Sequence, residues 1–310
     1  MDGVLAVWKP AGWTSHDVVA KVRRIIRVKR IGHAGTLDPQ VTGVLPLCIG
    51  RATRVVEYLQ ELPKAYEAVL QLGIATDTED LTGQVVARVP EVRIGRGEIE
   101  AALASFRGEI EQIPPMYSAV KVEGKRLYEL AREGKSVDRK PRKVTIYDLK
   151  LGESDLERPD PRITFTVVCS KGMYIRTLCV DIGRALGVPA AMAQLTRTMS
   201  AGLTAEHCLT IDQIEELAAA GTLADRLIPA DAAVGHLRRI SVGDETAAMA
   251  SQGRAVPYGR LSENPDDGET VRLYAAGGAF IGLFKGEEAA RLLRPVKVFA
   301  PGFPNESESM

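Results

Sequence analysis

The residues whose chemistry is most distinctive lie between positions 31 and 46, in the segment IGHAGTLDPQVTGVLP. Its polar side chains fit neither one face of a helix nor one face of a strand. The glycines permit close backbone approaches, and Pro39 stiffens the chain after Asp38. Rigidly supported loops often carry functional groups, so Asp38 is a candidate catalytic carboxylate. An Asp-Pro pair more commonly forms only a turn, and that alternative stays open on composition alone.

A second candidate segment is SKGMYIRTL at 170–178, which directly follows a predicted strand. It places the phenol of Tyr174 and the guanidinium of Arg176 at a strand end. An arginine beside Asp38 would keep the carboxylate ionised and oriented, and an ionised aspartate can act as a nucleophile. The alternatives are a tyrosine at the edge of the core and an arginine in a surface ion pair, and spacing alone rejects neither.

Charge is segregated along a chain that is neutral overall, with 40 basic and 40 acidic side chains. Residues 21–30, KVRRIIRVKR, hold six cations and no acid. Apolar periodicity predicts a helix over 15–27 with Ser15 as its N-cap, and Arg23, Arg27 and Arg30 on a cationic side. Such a surface favours a phosphate-rich partner. An ordinary solvated helix explains the run equally well.

Other composition features narrow the class of protein. No apolar run approaches the roughly 20 residues of a bilayer span, and the first ten residues lack a secretory pattern, so we expect a cytoplasmic protein without membrane contact. The cysteines are expected to be buried free thiols, and the histidines are too scattered for zinc. The acidic loop TDTEDLTG at 76–83 lacks the EF-hand ligand series. It is interpreted as a structural or RNA-facing loop, and no metal site is predicted.

The predicted elements favour an α+β fold with a mixed, largely antiparallel sheet. Strands are predicted at 4–7, 66–72, 144–149 and 163–169, and helices at 15–27, 51–61, 97–106, 125–133, 175–186 and 211–219. Past residue 235 the pattern changes to short strands, including a hairpin of 271–275 and 279–284 around Gly277-Gly278 and a further strand at 296–299. We therefore expect a large domain at 1–236, a small β-rich domain at 237–300 and a flexible tail at 301–310.

Four motifs carry a resemblance to a known family. The segment GHAGTLDPQVTGVL within residues 31–45, WKPAGWTS at 8–15, KAYEAVLQLG at 64–73 and SKGMYIRTL at 170–178 together closely resemble the bacterial tRNA pseudouridine synthase B family. The resemblance implies the pseudouridine synthase fold followed by a module similar to the PUA type. It also implies an enzyme that isomerises uridine 55 in the T-loop of tRNA by breaking the N1 glycosidic bond and rejoining the base through C5. No cofactor or metal is implied, and the T-arm of tRNA is the implied partner of a monomer.

The same resemblance implies roles for individual residues. Asp38 matches the catalytic aspartate, Arg176 the arginine that pairs with it, and Tyr66 the tyrosine that stacks on the base and is a candidate to remove the C5 proton. The other implied site residues are Tyr174 near the site, Leu195 against the flipped base, His33 beside the displaced nucleotide, and Lys9 with Pro10 supporting the active-site loop. Val41 and Met173 depart from the commoner alanine and threonine of the family.

Three alternatives stay open for the chemistry and two for the class of protein. Asp38 could attack the ribose C1′, add to uracil C6, or help to remove a ribose proton and give a glycal-like intermediate. All three require the base to leave its stack and to be held, as Tyr66 and Leu195 would hold it. The competing classes are a non-catalytic tRNA-binding protein on the same fold and an unrelated aspartate-dependent hydrolase. Asp38, Tyr66 and Arg176 together favour the enzyme over the binder, and the cationic segment disfavours the hydrolase.

Overall fold

The computed structural model describes residues 1–122, 124–135 and 137–299; the predicted tail at 301–310 lies outside the described residues. The strands are β1 (Gly3–Lys9), β2 (Ile31–His33), β3 (Thr42–Ile49), β4 (Lys64–Leu72), β5 (Ile74–Thr76), β6 (Val85–Arg88), β7 (Gly108–Gln112), β8 (Lys121–Val122), β9 (Lys125–Arg126), β10 (Arg142–Asp155), β11 (Arg162–Cys169), β12 (Ala190–Ser200), β13 (Leu203–Thr204), β14 (Arg239–Val242), β15 (Val256–Pro257), β16 (Thr270–Ala275), β17 (Phe280–Glu287) and β18 (Leu292–Val298).

The α-helices are α1 (Ser15–Ile26), α2 (Val56–Glu61), α3 (Arg96–Ser105), α4 (Leu127–Arg132), α5 (Ile175–Ala185), α6 (Ile211–Ala219), α7 (Ala230–Ala233) and α8 (Asp244–Ser251). Shorter 3₁₀ turns are Gly50–Val55, Ala205–His207, Leu223–Arg226 and Tyr258–Arg260. Among the described residues, no helix is both long and apolar enough to cross a bilayer.

A central sheet of nine strands forms the larger part of the molecule. Its order is β1-β3-β12-β4-β11-β10-β7, with β2 beside β3 and β13 beside β12. All pairings are antiparallel except the short parallel contact of β12 with β3. In β11 the sequence ITFTVVC buries every second side chain, so one face of the sheet lies on the core. The fold class predicted from the sequence is confirmed.

The N-cap of helix α1 lies one residue before the position that the sequence predicts. The N-cap is Thr14, whose hydroxyl accepts from the Asp17 amide while the Asp17 carboxylate accepts from the Thr14 amide. The expected cap, Ser15, is instead a buried first-turn residue. The helix ends at Ile26, because Arg27 is left-handed with φ 55°. Arg27 and Arg30 therefore lie after the helix, and the prediction of one cationic helix face is wrong for both.

Two strands that the sequence did not suggest lie beside the segments of highest chemical interest. Strand β3 covers the second half of the predicted loop, and β12 contains Leu195. Two predicted helices are also shorter than expected. The 51–61 helix begins as a 3₁₀ turn, and residues 125 and 126 belong to a strand.

A second sheet of five strands follows in the order β14-β16-β17-β18-β15. It includes the predicted hairpin, now β16 and β17, and the predicted last strand, β18. An apolar cluster joins this sheet to the larger one; its fully or nearly fully buried members include Val4, Cys48, Val55, Leu59, Leu283 and Phe299. Arg51 and Arg54 reinforce the contact by donating to the backbone carbonyls of Phe299 and Val298.

Gly43 lets β3 and β12 approach each other. Its φ is +113°, and a Cβ there would lie 2.8 Å from the Arg197 backbone nitrogen and still closer to the Arg197 carbonyl oxygen. We predict that Gly43→Ala lowers the free energy of unfolding by about 3–4 kcal/mol or more, since it adds a backbone clash to conformational strain. Urea unfolding measures this.

Gly12→Ala is the matched control, because Gly12 has φ +80° but nothing within 4 Å of the position that a methyl group would take. Its cost is expected to be strain alone, roughly 1–2 kcal/mol. Equal losses in the two variants would show that the β3–β12 approach does not need a glycine.

Candidate functional site

A cavity of about 270 Å³ opens where four parts of the chain meet: the loop of residues 34–41 between β2 and β3 (the Asp38 loop), β4, β12 and the start of α5. The predicted residues Asp38, Tyr66, Tyr174, Arg176 and Leu195 all line it. Other lining residues are Gly35, Thr36, Leu37, Val41, Lys64, Ser118, Ala119, Ser170, Gly172, Met173, Ile175 and Arg197. The two departures from the family pattern, Val41 and Met173, thus both form part of its wall.

Asp38 and Arg176 form an ion pair in the cavity. The Arg176 Nη2 lies 2.9 Å from the Asp38 Oδ2, and the arginine side chain is 6% exposed whereas the aspartate side chain is 46% exposed. Arg176 also donates to the Thr78 carbonyl at 3.1 Å and to the Tyr117 carbonyl at 2.8 Å. The guanidinium is therefore fixed within the protein, while the carboxylate it orients faces open space.

The backbone on both sides of Asp38 is hydrogen-bonded to side chains of the WKPAGWTS segment at 8–15. The Ser15 Oγ accepts from the Leu37 amide at 2.9 Å and donates to the Leu37 carbonyl at 3.3 Å. The Lys9 Nζ donates to the Pro39 carbonyl at 3.0 Å and to the carbonyls of Pro10 and Trp13. These side-chain bonds satisfy backbone groups of a loop that has no regular secondary structure, and they hold it in place.

Lys9 does not line the cavity, because it is fully buried behind the Asp38 loop. Burial lowers the pKa of its ammonium to about 8, although the nearby Asp38 charge acts in the opposite direction. With three carbonyls around the Nζ, this lysine contacts the loop rather than a ligand in the cavity.

Tyr66 and Leu195 reach the cavity from neighbouring antiparallel strands. Tyr66 lies on β4 opposite Arg197, and Leu195 lies on β12 opposite Ala68. The tyrosine is buried, and desolvation raises the pKa of its phenol. Leu195 is half-buried and offers an apolar surface to the cavity.

Sequence reasoning missed two buried cations in the cavity wall, Lys64 and Arg197. The Lys64 Nζ donates to the carbonyls of Gln60 at 2.9 Å and Leu62 at 3.0 Å, and burial lowers its pKa to about 8. Each lies two residues from a predicted site residue on the same strand: Lys64 from Tyr66, and Arg197 from Leu195. Since alternate strand residues share a face, this spacing was the signal that could have found them.

Tyr174 is positioned through its backbone. The side chain of the buried Gln112, at the end of β7, accepts from the Tyr174 amide at 2.8 Å and donates to the Tyr174 carbonyl at 3.0 Å. This pair of bonds fixes the residue that precedes α5, and Arg176 follows in the first turn of that helix.

The acidic loop at 76–83 accepts a hydrogen bond from Arg176 through the Thr78 carbonyl, and side-chain hydrogen bonds within the loop stabilise it. The Asp80 carboxylate accepts from Thr78 and Thr82, and the Asp77 carboxylate accepts from the Gln84 amide. Glu79 accepts from the Thr177 hydroxyl at 2.6 Å, and burial raises the pKa of its carboxyl. Across the described part of the chain, no group of three or more histidine, cysteine or acidic side chains could hold a metal ion.

Besides Lys9, four predicted site residues lie outside the cavity lining: His33, Arg23, Arg27 and Arg30. His33 is on β2, and its ring meets that of His16 edge-on with 5.5 Å between centroids. Burial, followed by the charges of His16 and Arg197, lowers the His33 pKa. Arg23 and Arg27 are exposed, and Arg23 donates to the Lys29 carbonyl at 3.1 Å.

Solved structures with a similar fold include chains of multicomponent complexes. The chain is similar to one in a Cbf5–Nop10–Gar1 complex, with a TM-score of 0.74 and 29% identity over 96% of this chain and 85% of that one. A chain of an H/ACA RNP bound to a substrate RNA containing 2′-deoxyuridine gives a TM-score of 0.73 and 26% identity, with the same coverage.

Sequence comparison defines the class as pseudouridylate synthase. A model of the TruB family pseudouridylate synthase N-terminal domain matches residues 23–175, and one of the tRNA pseudouridylate synthase B C-terminal domain matches 176–235. Strand β12, from the second matched segment, lies inside the sheet formed mainly by the first.

Curated relatives extend the match to nearly the whole chain. The tRNA pseudouridine synthase B of Bacillus subtilis (strain 168) is 42% identical over 96% of this chain and 97% of its own length. That of Geobacillus thermodenitrificans is 44% identical over 96% of this chain and 100% of its own. The chain belongs to the tRNA pseudouridine synthase B family.

The Ser15 hydroxyl is expected to hold the Asp38 loop. We predict that Ser15→Ala destabilises the fold by about 1–3 kcal/mol, because the buried Leu37 amide loses its partner. Amide hydrogen exchange of the peptide spanning 35–38 is expected to accelerate, as measured by mass spectrometry.

Thr14→Ala, one residue earlier, is the control. It removes the helix cap at a cost of about 1 kcal/mol but leaves the bonds to Leu37 in place. If exchange at 35–38 rose as much in this variant, general loosening of α1 would explain the effect and the specific anchor would be refuted.

Proposed function

We propose that this protein isomerises uridine 55 in the T-loop of tRNA to pseudouridine. The observation that carries the proposal is the ion pair at one side of the cavity: a partly exposed carboxylate, Asp38, oriented by the buried Arg176. Beside this pair the walls offer an aromatic and an apolar side chain, Tyr66 and Leu195. Membership of the family supports tRNA as the substrate and position 55 as the target.

The size of the cavity supports a flipped nucleotide as the bound group. At about 270 Å³ the space suits one small ligand, so a base paired or stacked within the RNA would have to leave its neighbours to enter. Extrusion costs a few kcal/mol. Packing of the base between Tyr66 and Leu195 offsets part of that cost, since aromatic stacking on a base contributes about 1–3 kcal/mol.

Asp38 is the catalytic residue of the proposed reaction. Its exposed carboxylate can reach the sugar or the base of a nucleotide in the cavity, by attack on C1′, addition to C6, or removal of a ribose proton. In each case the N1–C1′ bond breaks, the uracil turns within the cavity and C5 bonds to C1′. C5 then loses its proton, N1 gains one, and the Asp38 carboxylate is released unchanged. Tyr66 lines the same space and is the group proposed to take the C5 proton.

The remaining predicted residues are assigned to binding and support. Lys9 holds the Asp38 loop through the Pro39 carbonyl. Tyr174 and His33 are proposed to contact the target nucleotide and the nucleotide it displaces. Arg23, Arg27 and Arg30 would bind backbone phosphates of the T-arm.

We also propose the domain limits 1–236 and 237–300, with the second domain of the PUA type and able to bind RNA. Its five-stranded sheet supports that assignment. The enzyme is proposed to act as a cytoplasmic monomer.

Replacing the carboxylate is expected to stop the reaction without preventing binding. We predict that Asp38→Ala forms no detectable pseudouridine on an unmodified tRNA transcript, measured by tritium release under single-turnover conditions. Its affinity for the transcript, measured by filter binding, is expected to stay within about threefold of the wild type, since phosphate contacts dominate affinity.

Asp225→Ala is the matched control, because Asp225 is exposed and outside the cavity lining; it is expected to retain full activity. Near-normal turnover by Asp38→Ala would refute the catalytic assignment. Mapping of the product on the transcript tests position 55: pseudouridine elsewhere would refute the target.

The cationic segment is expected to control the salt dependence of binding. We predict that the triple variant Arg23→Gln, Arg27→Gln, Arg30→Gln binds tRNA more weakly and flattens the slope of log affinity against log salt by up to about 2–3. Titrations at several salt concentrations measure the slope.

The control neutralises Arg93, Arg96 and Arg158, each of which pairs with an acid on the surface. It changes net charge equally but is expected to leave the slope nearly unaltered. The same slope for both triple variants would remove residues 23–30 from the interface.

A further inference from the structure

Arg197 is a buried cation without an acidic partner. Its side chain is 1% exposed, and it forms no ion pair with a carboxylate in residues 1–122, 124–135 or 137–299. Burying a charge without a counter-charge costs several kcal/mol even after relaxation. Either hydrogen bonds to the Arg197 side chain offset this cost, or the positive charge has a function in the cavity.

The bonds of Arg197 lead to the loop that carries Asp38. Its Nε donates to the Val44 carbonyl at 2.8 Å, its Nη2 to Gly35 at 3.0 Å and its Nη1 to Thr36 at 3.3 Å. One planar group thus joins β3 to the segment two and three residues before Asp38. Only a guanidinium has enough donors in one plane for such an arrangement.

Arg197 also meets Tyr66. The two residues are direct cross-strand partners on β12 and β4. Both side chains line the cavity, and the charge of the guanidinium lowers the pKa of a phenol that burial otherwise raises. The same group therefore bonds to the Asp38 loop and lies beside Tyr66.

The other charged or titratable groups around Tyr66 do not supply this effect. Asp38 on the loop raises the tyrosine pKa. Burial raises the pKa of the Cys169 thiol on β11 to about 12, so this thiol is neutral at physiological pH and contributes no charge beside Tyr66. Lys64, on the same strand face, directs its Nζ to the carbonyls of Gln60 and Leu62.

We propose that Arg197 is a positioning residue that ties the Asp38 loop to Tyr66 and stabilises the phenolate form of that tyrosine. The inference rests on the proposed function, in which Asp38 and Tyr66 act on the nucleotide. Arg197, which is 1% exposed in the cavity wall, would act by holding these two groups and through its charge rather than by reacting with the nucleotide.

The direct test measures Tyr66 in the ligand-free protein. The eight tyrosines are replaced by 3-fluorotyrosine, and the ¹⁹F signal of Tyr66 is assigned with Tyr66→Phe and followed against pH. Arg197→Met is expected to raise the pKa of Tyr66 by about one unit or more, because a nearby cation is lost. Arg197→Lys keeps the charge, so a shift of at most about half a unit is expected.

Arg107→Met is the matched control. Arg107 also donates to a backbone carbonyl, that of Leu149, through Nε at 3.2 Å and Nη2 at 2.7 Å, but it does not line the cavity. Its loss is expected to leave the Tyr66 signal unchanged. An unaltered Tyr66 pKa in a folded Arg197→Met would overturn the inference.

Kinetics separate positioning from simple structural support. Arg197→Met is expected to lower kcat about 100-fold with KM changed by less than about threefold, since misplacing reacting groups by an ångström costs about that much. Arg197→Lys, with charge kept but the planar donor set lost, is expected to lose about tenfold in kcat. A loss confined to KM, or a Lys variant with wild-type kcat, would contradict the proposal.

Folding is checked by circular dichroism and thermal unfolding. If Arg197→Met does not fold, Arg197→Lys tests the proposal instead. The expected result is then the tenfold loss in kcat with the small shift in the Tyr66 pKa given above, and a wild-type kcat would contradict the proposal. If the wild type forms no pseudouridine, the proposed function fails, while the ¹⁹F titration still decides whether Arg197 controls Tyr66.

Discussion

Buried cations that donate to backbone carbonyls hold the cavity together. Lys9 binds the Pro39 carbonyl, Arg197 those of Gly35 and Thr36, and Arg176 those of Thr78 and Tyr117. The Asp38 loop must expose its carboxylate, so it cannot satisfy its backbone by joining a strand or helix. Long cationic side chains reach these carbonyls from behind and leave the front of the loop free.

This arrangement explains why the site draws on distant parts of the chain. The supporting side chains come from β1, α5 and β12, and Gln112 at the end of β7 fixes the entry to α5. Lys9 ends β1 and Arg176 lies in the first turn of α5, whereas Arg197 lies within β12. The Asp38 loop and helix α5 meet at the ion pair of Asp38 with Arg176. Each partner is also restrained by other hydrogen bonds: the backbone beside Asp38 by Ser15 and Lys9, and Arg176 by two carbonyls.

Much of this site could be predicted from sequence, and the limits have physical causes. Asp38, Tyr66 and Arg176 could be grouped in one site because their motifs are specific, and the family resemblance added Leu195; all four line one cavity. Strand β3 was missed because Gly43 and Pro46 are poor strand formers, although both fit here, and β12 was missed because Arg197 points inward and breaks the apolar alternation. Arg197 and Lys64 become recognisable only once the register of β12 against β4 is known. The cap of α1 went to Thr14 because Ser15 is bonded to Leu37 instead.

The position of β12 has a consequence for folding during synthesis. This strand lies between β3 and β4, so until residues 190–200 have left the ribosome the sheet exists as two separate parts. One part carries Asp38 next to β3, and the other carries Tyr66 on β4. The strand that joins them also brings Leu195 and Arg197. A nascent chain that stops short of this strand therefore has both of these side chains and no shared pocket, and the cavity is completed in the step that closes the sheet.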